Sequence, residues 1–147
     1  MAAFTPLSSE TLHASTVAID GRAVVIEGPS GSGKSDLALR LIDRGAKLVS
    51  DDRSLLVRSG DGLIARSPER MAGRIEVRGV GIATVPHVAE APVALLVSLD
   101  PAPPRLPERR RRVIAGVDVQ TLALDPRAAS AAIAVEIALR QPDAAPS

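Results

Sequence analysis

An eight-residue glycine-rich motif constrains this chain more than any other feature of its sequence. Residues 28 to 35 fit the pattern G-x-x-x-x-G-K-[ST] and read Gly28, Pro29, Ser30, Gly31, Ser32, Gly33, Lys34 and Ser35. One of the only two lysines in the chain stands at the position that requires lysine. With this composition, chance would produce the pattern in about one such chain in a thousand. We therefore interpret the segment as a phosphate-binding loop of the Walker A type.

The segments on either side of the motif provide the context that a phosphate loop needs. The apolar run Ala23–Ile26 predicts a strand before it, and helical spacing of apolar residues from Ser35 to Gly45 predicts a helix after it. Glycines let backbone amides turn toward phosphate oxygens, and the helix N-terminus adds partial positive charge. Lys34 would then reach the β- and γ-phosphates of a nucleotide, and Ser35 would bind Mg²⁺. The alternative is a strand-to-helix turn that merely uses glycine.

Apolar runs elsewhere in the chain predict further strands. They are expected before the turn at Asp20-Gly21, over Lys47–Ser50 and over Leu55–Val57, and one helical turn is expected from Ser67. The run Val93–Val97 is apolar at every position, which is typical of a strand covered on both faces in the middle of an α/β sheet. The fold class is therefore predicted to be α/β with a mixed sheet.

The length of 147 residues is enough for one domain with a single core. We expect residues 12–140 to form that domain, with flexible ends over 1–11 and 141–147. The segment Ala128–Leu139 has only Ser130 and Glu136 as polar side chains, which predicts a C-terminal helix with almost no solvent face. Such a helix would be buried in the fold or in a subunit interface, so we expect a homo-oligomer.

The composition excludes several classes of function. The chain has no cysteine, which rules out disulfide frameworks, thiolate metal sites and cysteine nucleophiles and fits a reducing compartment. Phe4 is the only aromatic residue, so base-stacking platforms are ruled out, and the net charge of +1 draws the chain to neither nucleic acid nor membrane. No segment reaches the roughly 18 unbroken apolar residues of a membrane span. We expect a cytoplasmic protein without nucleic-acid or membrane partners.

Three acidic residues are candidates for chemistry. Asp51 and Asp52 follow a predicted strand, which places them at the same edge of an α/β sheet as the glycine loop. One of them could hold Mg²⁺ through water and the other could accept a proton from an attacking hydroxyl; the alternative is an ordinary acidic turn. Glu76, in an otherwise apolar strand edge, is a second candidate metal ligand. Its alternative is an ion pair with Arg74 or Arg78.

The two histidines and one arginine run have both a structural and a functional interpretation. His13 and His87 are the only histidines, and a lone histidine is more often a structural hydrogen-bonding group than a catalyst. The run Arg109–Arg112 follows four prolines. It could be a solvated loop, or it could supply a mobile arginine that clamps a phosphate.

Two segments of the chain together resemble one known family. The segment LHASTVAIDGRAVVIEGPSGSGKSDLALRLIDRGAKLVSDD, followed by IEVRGVGIATV, resembles the catalytic domain of HPr kinase/phosphorylase, the bacterial enzyme that acts on a serine of the phosphocarrier protein HPr. The resemblance runs from Leu12 to about Val85 and continues more loosely to Arg140. It implies a P-loop α/β domain related to phosphoenolpyruvate carboxykinase, usually assembled as a hexamer. It also implies ATP and Mg²⁺ as cofactors and HPr or an HPr-like carrier as partner.

The resemblance assigns roles to residues around the glycine loop. His13 resembles the family's active-site histidine near the phosphate site, and residues 28–35 resemble its nucleotide loop. Asp51 resembles the catalytic aspartate, which deprotonates the serine in the kinase direction and protonates it as leaving group in the reverse reaction. Asp52 matches the neighbour in that pair of aspartates.

The resemblance also covers the segment IEVRGVG. Glu76 resembles the family's Mg²⁺-binding acid, and Arg78 and Gly79 complete its E-x-R-G-x-G signature. One of Arg109–Arg112 would match the family's mobile arginine, with no basis for choosing among the four. The longer members carry an N-terminal domain, so we expect this chain to be the short form that consists of the catalytic domain.

Three functions are compatible with these observations. The first is a protein serine kinase acting on HPr or an HPr-like carrier, with the phosphorolytic reverse reaction left open. The second is a small-molecule P-loop kinase, although the sequence has neither an evident lid insertion nor an aromatic residue to stack on a base. The third is a non-catalytic module that binds a nucleotide and acts through its partners.

Overall fold

The computed structural model describes residues 8–68, 73–103 and 110–141 of the chain. Within these ranges it has eleven strands and two helices. In chain order they are β1 (Ser9–Leu12), β2 (Ala14–Ile19), β3 (Arg22–Glu27), α1 (Lys34–Asp43), β4 (Lys47–Ser50), β5 (Ser54–Ser59), β6 (Gly62–Arg66), β7 (Arg74–Val77), β8 (Gly81–Thr84), β9 (Glu90–Leu99), β10 (Arg110–Ile114), β11 (Val117–Leu124) and α2 (Ala131–Arg140).

Nine of the described strands form one mixed sheet around the long strand β9. The second half of β9 pairs in parallel with β3 on one side and β11 on the other, and its first residues pair antiparallel with β6. Beyond β3 the sheet continues through β2 to β4, and beyond β6 it continues through β5 to β1. β10 pairs with β11, while β7 and β8 form a separate two-stranded sheet. The mixed sheet and C-terminal helix predicted from the sequence are both present.

The two central strands are covered on both faces, as the apolar run Val93–Val97 predicts. In β9, Leu95 and Val97 face the cluster that contains the helices, and Leu96 faces a second cluster on the opposite side of the sheet. β3 alternates in the same way. The core residues contributed by the two helices are Leu37, Ala38 and Leu41 of α1 and Ala131, Ala132, Val135 and Leu139 of α2. The loop that follows β3 therefore leaves a strand that is packed on both faces.

The hairpin predicted around Asp20-Gly21 is confirmed. Asp20 and Gly21 have φ angles of 52° and 77°, as a two-residue turn between twisted antiparallel strands requires. The hairpin register runs from Ile19 opposite Arg22 to Ala14 opposite Glu27. The start of β2 therefore lies level with the end of β3, where the glycine loop begins.

The C-terminal helix differs from the prediction in its start and in its exposure. Residues 128–130 form turns instead of helix, because the Ala128 and Ala131 amides donate to carbonyls three residues back. α2 therefore begins at Ala131, and the prediction of a helix from Ala128 was wrong by three residues. The helix also has a solvent face, since Ile133 is 43% exposed and Ile137 is 46% exposed. These two residues are four apart, so they share one side of the helix.

Three further predictions concern the ends and the loops of the chain. β1 begins at Ser9 because residues 9–12 pair with β5, so the first strand starts three residues before the predicted boundary at 12. Most of the helical turn predicted from Ser67, and most of the proline-rich loop before Arg110, lie outside the described residues. In the described part of the chain, no helix has the length and apolar character needed to span a membrane.

Candidate active site

The glycine loop joins the end of β3 to the start of α1, as the sequence predicts. Gly33 lies directly before the helix with φ 102°, a conformation that side chains other than glycine rarely adopt. At Gly28 a Cβ atom would come within 2.6 Å of Ser32 Oγ and 3.2 Å of Leu99 Cβ, so the loop closes tightly on itself there. The loop thereby places the N-terminus of α1, with its free amides, over the end of the sheet.

Lys34 points back across this loop. Its Nζ donates hydrogen bonds to the carbonyl oxygens of Gly28 at 2.9 Å and Pro29 at 3.1 Å, and the side chain is 7% exposed. Ser32 Oγ, in the same loop, is buried and has no hydrogen-bond partner among the described residues. A buried ammonium beside an unpartnered hydroxyl is suited to binding an anion, because the anion would supply the missing acceptor.

Asp51 is the point where three elements meet. Its Oδ1 accepts hydrogen bonds from Ser35 Oγ of α1 at 2.7 Å and from Ser15 Oγ of β2 at 2.8 Å. Its Oδ2 accepts from the backbone amide of Glu76 in β7 at 3.2 Å. Ser35, Asp51 and Glu76, which are predicted site residues far apart in sequence, are therefore brought together. Ser15 is a fourth member that the sequence analysis missed.

Asp52 is held differently from its neighbour. Its φ angle is 66°, in the left-handed region, and its backbone amide donates to Ser15 Oγ at 3.2 Å. Asp52 is exposed, whereas Asp51 is half-buried. The two adjacent carboxylates therefore have distinct surroundings. Of the two, only the Asp51 carboxylate accepts hydrogen bonds from several elements.

The signature segment lies on the β7–β8 hairpin. Glu76 contributes its backbone amide to Asp51, and its exposed side chain makes no ion pair with Arg74 or Arg78, although all three residues are described. Gly79 occupies the exposed hairpin turn with φ 81°. The alternative of an arginine-paired Glu76 is thus not observed. No cluster of three or more histidine, cysteine or acidic residues in the described chain could hold a metal by itself.

Two cavities border the site. One, of about 300 Å³, lies on the outer side of Asp51, and its lining includes Ser50, Asp51, Glu76 and Ile82. The other, of about 330 Å³, lies against the glycine loop between residues 99–101 and residues 125–127. Asp51 is therefore open to the first cavity, and the glycine loop is open to the second.

Arg127 is a second residue that the sequence analysis missed. It lines the cavity beside the glycine loop, where its Nε pairs with Asp125 Oδ1 at 3.1 Å and its Nη2 donates to Pro101 O at 3.2 Å. The hydrogen bond from Arg127 lowers the pKa of the Asp125 carboxyl, and the same contact raises the pKa of the guanidinium. Arg127 thus presents a fixed positive charge at the edge of this cavity.

The arginine run is only partly described. Arg109 and the side chain of Arg110 lie outside the described residues. Arg111 pairs with Asp118 across β10 and β11 at 3.4 Å, and Arg112 pairs with Glu27, the last residue of β3. Arg112 is therefore the described member of the run that contacts the base of the glycine loop.

The two histidines have different positions. His13 directly precedes Ala14, which is paired with Glu27, so it lies level with the start of the glycine loop, and its side chain is exposed. His87 contacts the Val85 carbonyl through Nδ1 at 3.0 Å and packs so closely on Gly73 that a Cβ there would overlap its ring. The structural interpretation suits His87, and the position of His13 is compatible with a role at the loop.

Comparison with known proteins identifies the family. Residues 6–90, more than half of the chain, match the family model described as HPr Serine kinase C-terminal domain. The chain belongs to this family. The resemblance found in the sequence is thereby confirmed.

Relatives of the HPr serine kinase family also match individually. The HPr kinase/phosphorylase of Clostridium botulinum is 47% identical over 81 residues, which are 54% of this chain and 26% of that protein. The one of Clostridium beijerinckii is 48% identical over the same length and the same shares. This chain thus spans about a quarter of the length of these curated relatives.

A solved structure covers nearly the whole chain. The structure of the Hpr(Ser) kinase/phosphatase from Coxiella burnetii superposes with a TM-score of 0.78 at 32% identity. The match covers 91% of this chain and 96% of that chain. Since only about a tenth of the chain lies outside this match, the family fold extends beyond residue 90.

Proposed function

We propose that this HPr serine kinase family member is an ATP-dependent protein serine kinase that acts on HPr or an HPr-like phosphocarrier. The observation that carries the proposal is the convergence at Asp51, where Ser35 of the glycine-loop helix and the Glu76 amide of the signature hairpin share one carboxylate. A phosphate loop and a proton acceptor are thereby adjacent, and phosphoryl transfer to a hydroxyl needs both.

The glycine loop would bind the nucleotide phosphates, in a P-loop fold related to phosphoenolpyruvate carboxykinase. The unpartnered Ser32 hydroxyl and the buried Lys34 ammonium fit such an anion. The Ser35 hydroxyl, 2.7 Å from a carboxylate oxygen, belongs to an oxygen donor set that suits Mg²⁺, which binds proteins through few ligands and keeps several waters. Ser35, Glu76 and Asp52 would hold Mg²⁺, which supplies charge neutralisation on the phosphates when bound.

Asp51 would act as the proton acceptor in the forward reaction. The serine oxygen of the carrier forms a bond to the γ-phosphorus, the bond from that phosphorus to the bridging oxygen breaks, and ADP leaves. The hydroxyl proton passes to Asp51. His13, exposed level with the start of the loop, would contact the phosphate site. In the phosphorolytic reverse reaction, an oxygen of inorganic phosphate would bond to the phosphorus of phosphoserine, the bond from that phosphorus to the serine oxygen would break, and pyrophosphate would leave. Asp51 would return the proton to the serine oxygen.

The test of this function is a labelling experiment with three readouts. The chain is incubated with Mg²⁺, ATP labelled at the γ-phosphate and either HPr or a panel of small hydroxyl acceptors. We expect label on HPr and none on HPr whose phosphorylatable serine is replaced by alanine. Label on a small acceptor instead would make the protein a metabolite kinase, and ATP binding without any transfer would make it a nucleotide-binding module.

The cysteine-free sequence fits the reducing cytoplasm, where we propose that the reaction occurs.

Arg127 is expected to contribute to transfer as the cation beside the glycine loop. Arginines that neutralise charge on a transferring phosphoryl group contribute several kcal/mol in related chemistry. We expect Arg127→Ala to lower kcat for HPr phosphorylation at least about tenfold. Arg58→Ala is the control, because Arg58 is an exposed arginine next to the β5–β6 turn and belongs neither to the glycine loop nor to the run Arg109–Arg112. Equal rates for the two variants would remove Arg127 from the site and leave Arg112 as the described arginine of the run to test next.

The exposed face of α2 is expected to lie in a subunit interface. Ile133 and Ile137 share one side of this helix and leave apolar surface in water, which assembly would remove. We propose a homo-oligomer, a hexamer by family resemblance. The double variant Ile133→Glu, Ile137→Glu should sediment as a smaller species than the wild type, and Val113→Glu, at another exposed apolar position, should not. A wild-type chain that is a stable monomer at micromolar concentration would contradict the proposal.

A further inference from the structure

Ser15 is a buried hydroxyl that contacts both aspartates. It lies in β2, between β3 and β4, and none of its surface is exposed. Its Oγ donates to Asp51 Oδ1 at 2.8 Å and accepts from the Asp52 backbone amide at 3.2 Å. A hydroxyl has one donor and two acceptor sites, so a single side chain can satisfy both contacts. The sheet register accounts for the contacts, because Thr16 is paired with Ser50 and Ser15 therefore lies beside the residues that follow.

The contact with the Asp52 amide bears on a strained part of the backbone. Asp52 has φ 66°, a conformation that is uncommon for residues other than glycine and persists only where the surroundings hold it. The hydrogen bond from the Asp52 amide to Ser15 Oγ is one of the contacts that hold this conformation. Since Asp51 and Asp52 share a peptide group, a shift of the Asp52 amide would also turn the Asp51 carboxylate.

Ser15 differs from Ser35, the other hydroxyl on the same oxygen. Under the proposed function Ser35 turns to Mg²⁺ and releases Asp51. Ser15 lies in the interior of the sheet and has no such second partner, so it stays on Oδ1 when the nucleotide is bound. Because an ionised carboxylate is an acceptor only, a fixed donor on one oxygen sets the direction of the lone pairs on the other.

We propose that Ser15 is a positioning residue for phosphoryl transfer. It holds the Asp51 carboxylate in the orientation that accepts the proton of the substrate hydroxyl, and it holds the Asp52 backbone that fixes this orientation. The inference rests on the proposed function, in which Asp51 accepts that proton. It predicts that removal of the Ser15 hydroxyl slows the chemical step and leaves substrate binding unchanged.

A matched control is available in β5, whose first residue contacts β2. Ser54 is also a fully buried serine, and its hydroxyl contacts Thr16 Oγ1 at 2.7 Å and donates to Ala14 O at 2.8 Å. It contacts neither aspartate. Ser54→Ala therefore removes a buried hydroxyl from the same neighbourhood, with the same loss of volume, and leaves the proposed positioning contact intact.

The kinetic test compares Ser15→Ala, Ser15→Thr and Ser54→Ala as transferases for HPr. We expect Ser15→Ala to lower kcat about 10- to 100-fold while KM for ATP and for HPr changes less than about threefold, because misorientation acts on the chemical step. Ser15→Thr retains the hydroxyl and should restore most of kcat, and Ser54→Ala should remain near wild type. Equal losses in Ser15→Ala and Ser54→Ala, or a loss confined to KM, would overturn the proposal.

A second measurement separates this inference from the function on which it rests. Exchange of the Asp52 amide proton with solvent, followed by NMR on the ligand-free chain, reports the Ser15 contact without any transfer reaction. We expect protection in the wild type and in Ser54→Ala, and at least about tenfold faster exchange in Ser15→Ala. If the wild type fails to label HPr but shows this pattern, the function is wrong and the contact stands. If the amide is unprotected in the wild type, the positioning role is wrong even where HPr is labelled.

Discussion

Replacing Lys34 with alanine is expected to reduce phosphoryl transfer to HPr by at least about a thousandfold. The Lys34 ammonium is the buried cation of the glycine loop and the group placed to neutralise charge on the transferring phosphoryl group. ATP binding should weaken as well, because under the proposed function the Lys34 ammonium would contact the phosphates before and during transfer. Initial rates with saturating HPr, together with calorimetric titration of ATP, measure the two effects separately.

The other lysine of the chain provides the control for this variant. Lys47 opens β4 and is exposed to solvent, so Lys47→Ala removes the same charge without touching the loop. It should transfer phosphate at close to the wild-type rate. A Lys34→Ala enzyme with wild-type turnover would refute the role of the loop in catalysis. Equal losses in both variants would point to net charge instead of position.

Asp51→Asn is expected to lower kcat by about a hundredfold to ten-thousandfold at nearly unchanged ATP affinity. The amide has almost the same shape as the carboxylate, but it cannot take the proton of the serine hydroxyl. It also presents one acceptor oxygen in place of two, so it cannot accept from Ser15, Ser35 and the Glu76 amide as Asp51 does. Rates of HPr labelling and of the reverse reaction should fall together, because both directions use the same proton transfer.

Asp52→Asn distinguishes the two members of the pair. Asp52 is exposed and would bind Mg²⁺, so its loss should raise the Mg²⁺ concentration that gives the half-maximal rate more than it lowers the maximal rate. A larger fall in maximal rate for Asp52→Asn than for Asp51→Asn, at unchanged ATP affinity, would show that the assignment within the pair is reversed.

The features that were correctly predicted from the sequence are local ones. The hairpin at Asp20-Gly21 and the loop that ends at Gly33 depend on residues that tolerate positive φ angles within a few positions of each other. The strand at Val93–Val97 was recognisable because a segment covered on both faces has no polar positions. Each of these signals is contained in one short window of sequence.

The features that were missed depend on pairing between distant segments. Ser15 meets Asp51 across 36 residues, and only the register of β2 with β4 brings them together. Arg127 reaches the glycine loop because β11 pairs in parallel with β9, which places residues 125–127 beside residues 99–101. One signal for Ser15 was available, since Ser15 and Thr16 are two hydroxyl residues at the start of an apolar strand that follows His13. Composition gave no comparable signal for Arg127, because it is one of many arginines.

The hydrogen bond from Ser35 to Asp51 has a consequence for the order of events in a catalytic cycle. In the ligand-free chain this bond occupies the same carboxylate that the reaction needs, and Lys34 is likewise engaged by loop carbonyls. A carrier protein that binds before the nucleotide would therefore find Asp51 and Lys34 already hydrogen-bonded within the chain. Under the proposed function, nucleotide and Mg²⁺ would take over the contacts of Lys34 and Ser35, and the Asp51 carboxylate would then be free to accept the proton of the substrate hydroxyl. Binding of ATP would thus prepare the site for HPr. We therefore expect steady-state kinetics to show an ordered mechanism in which ATP binds before HPr.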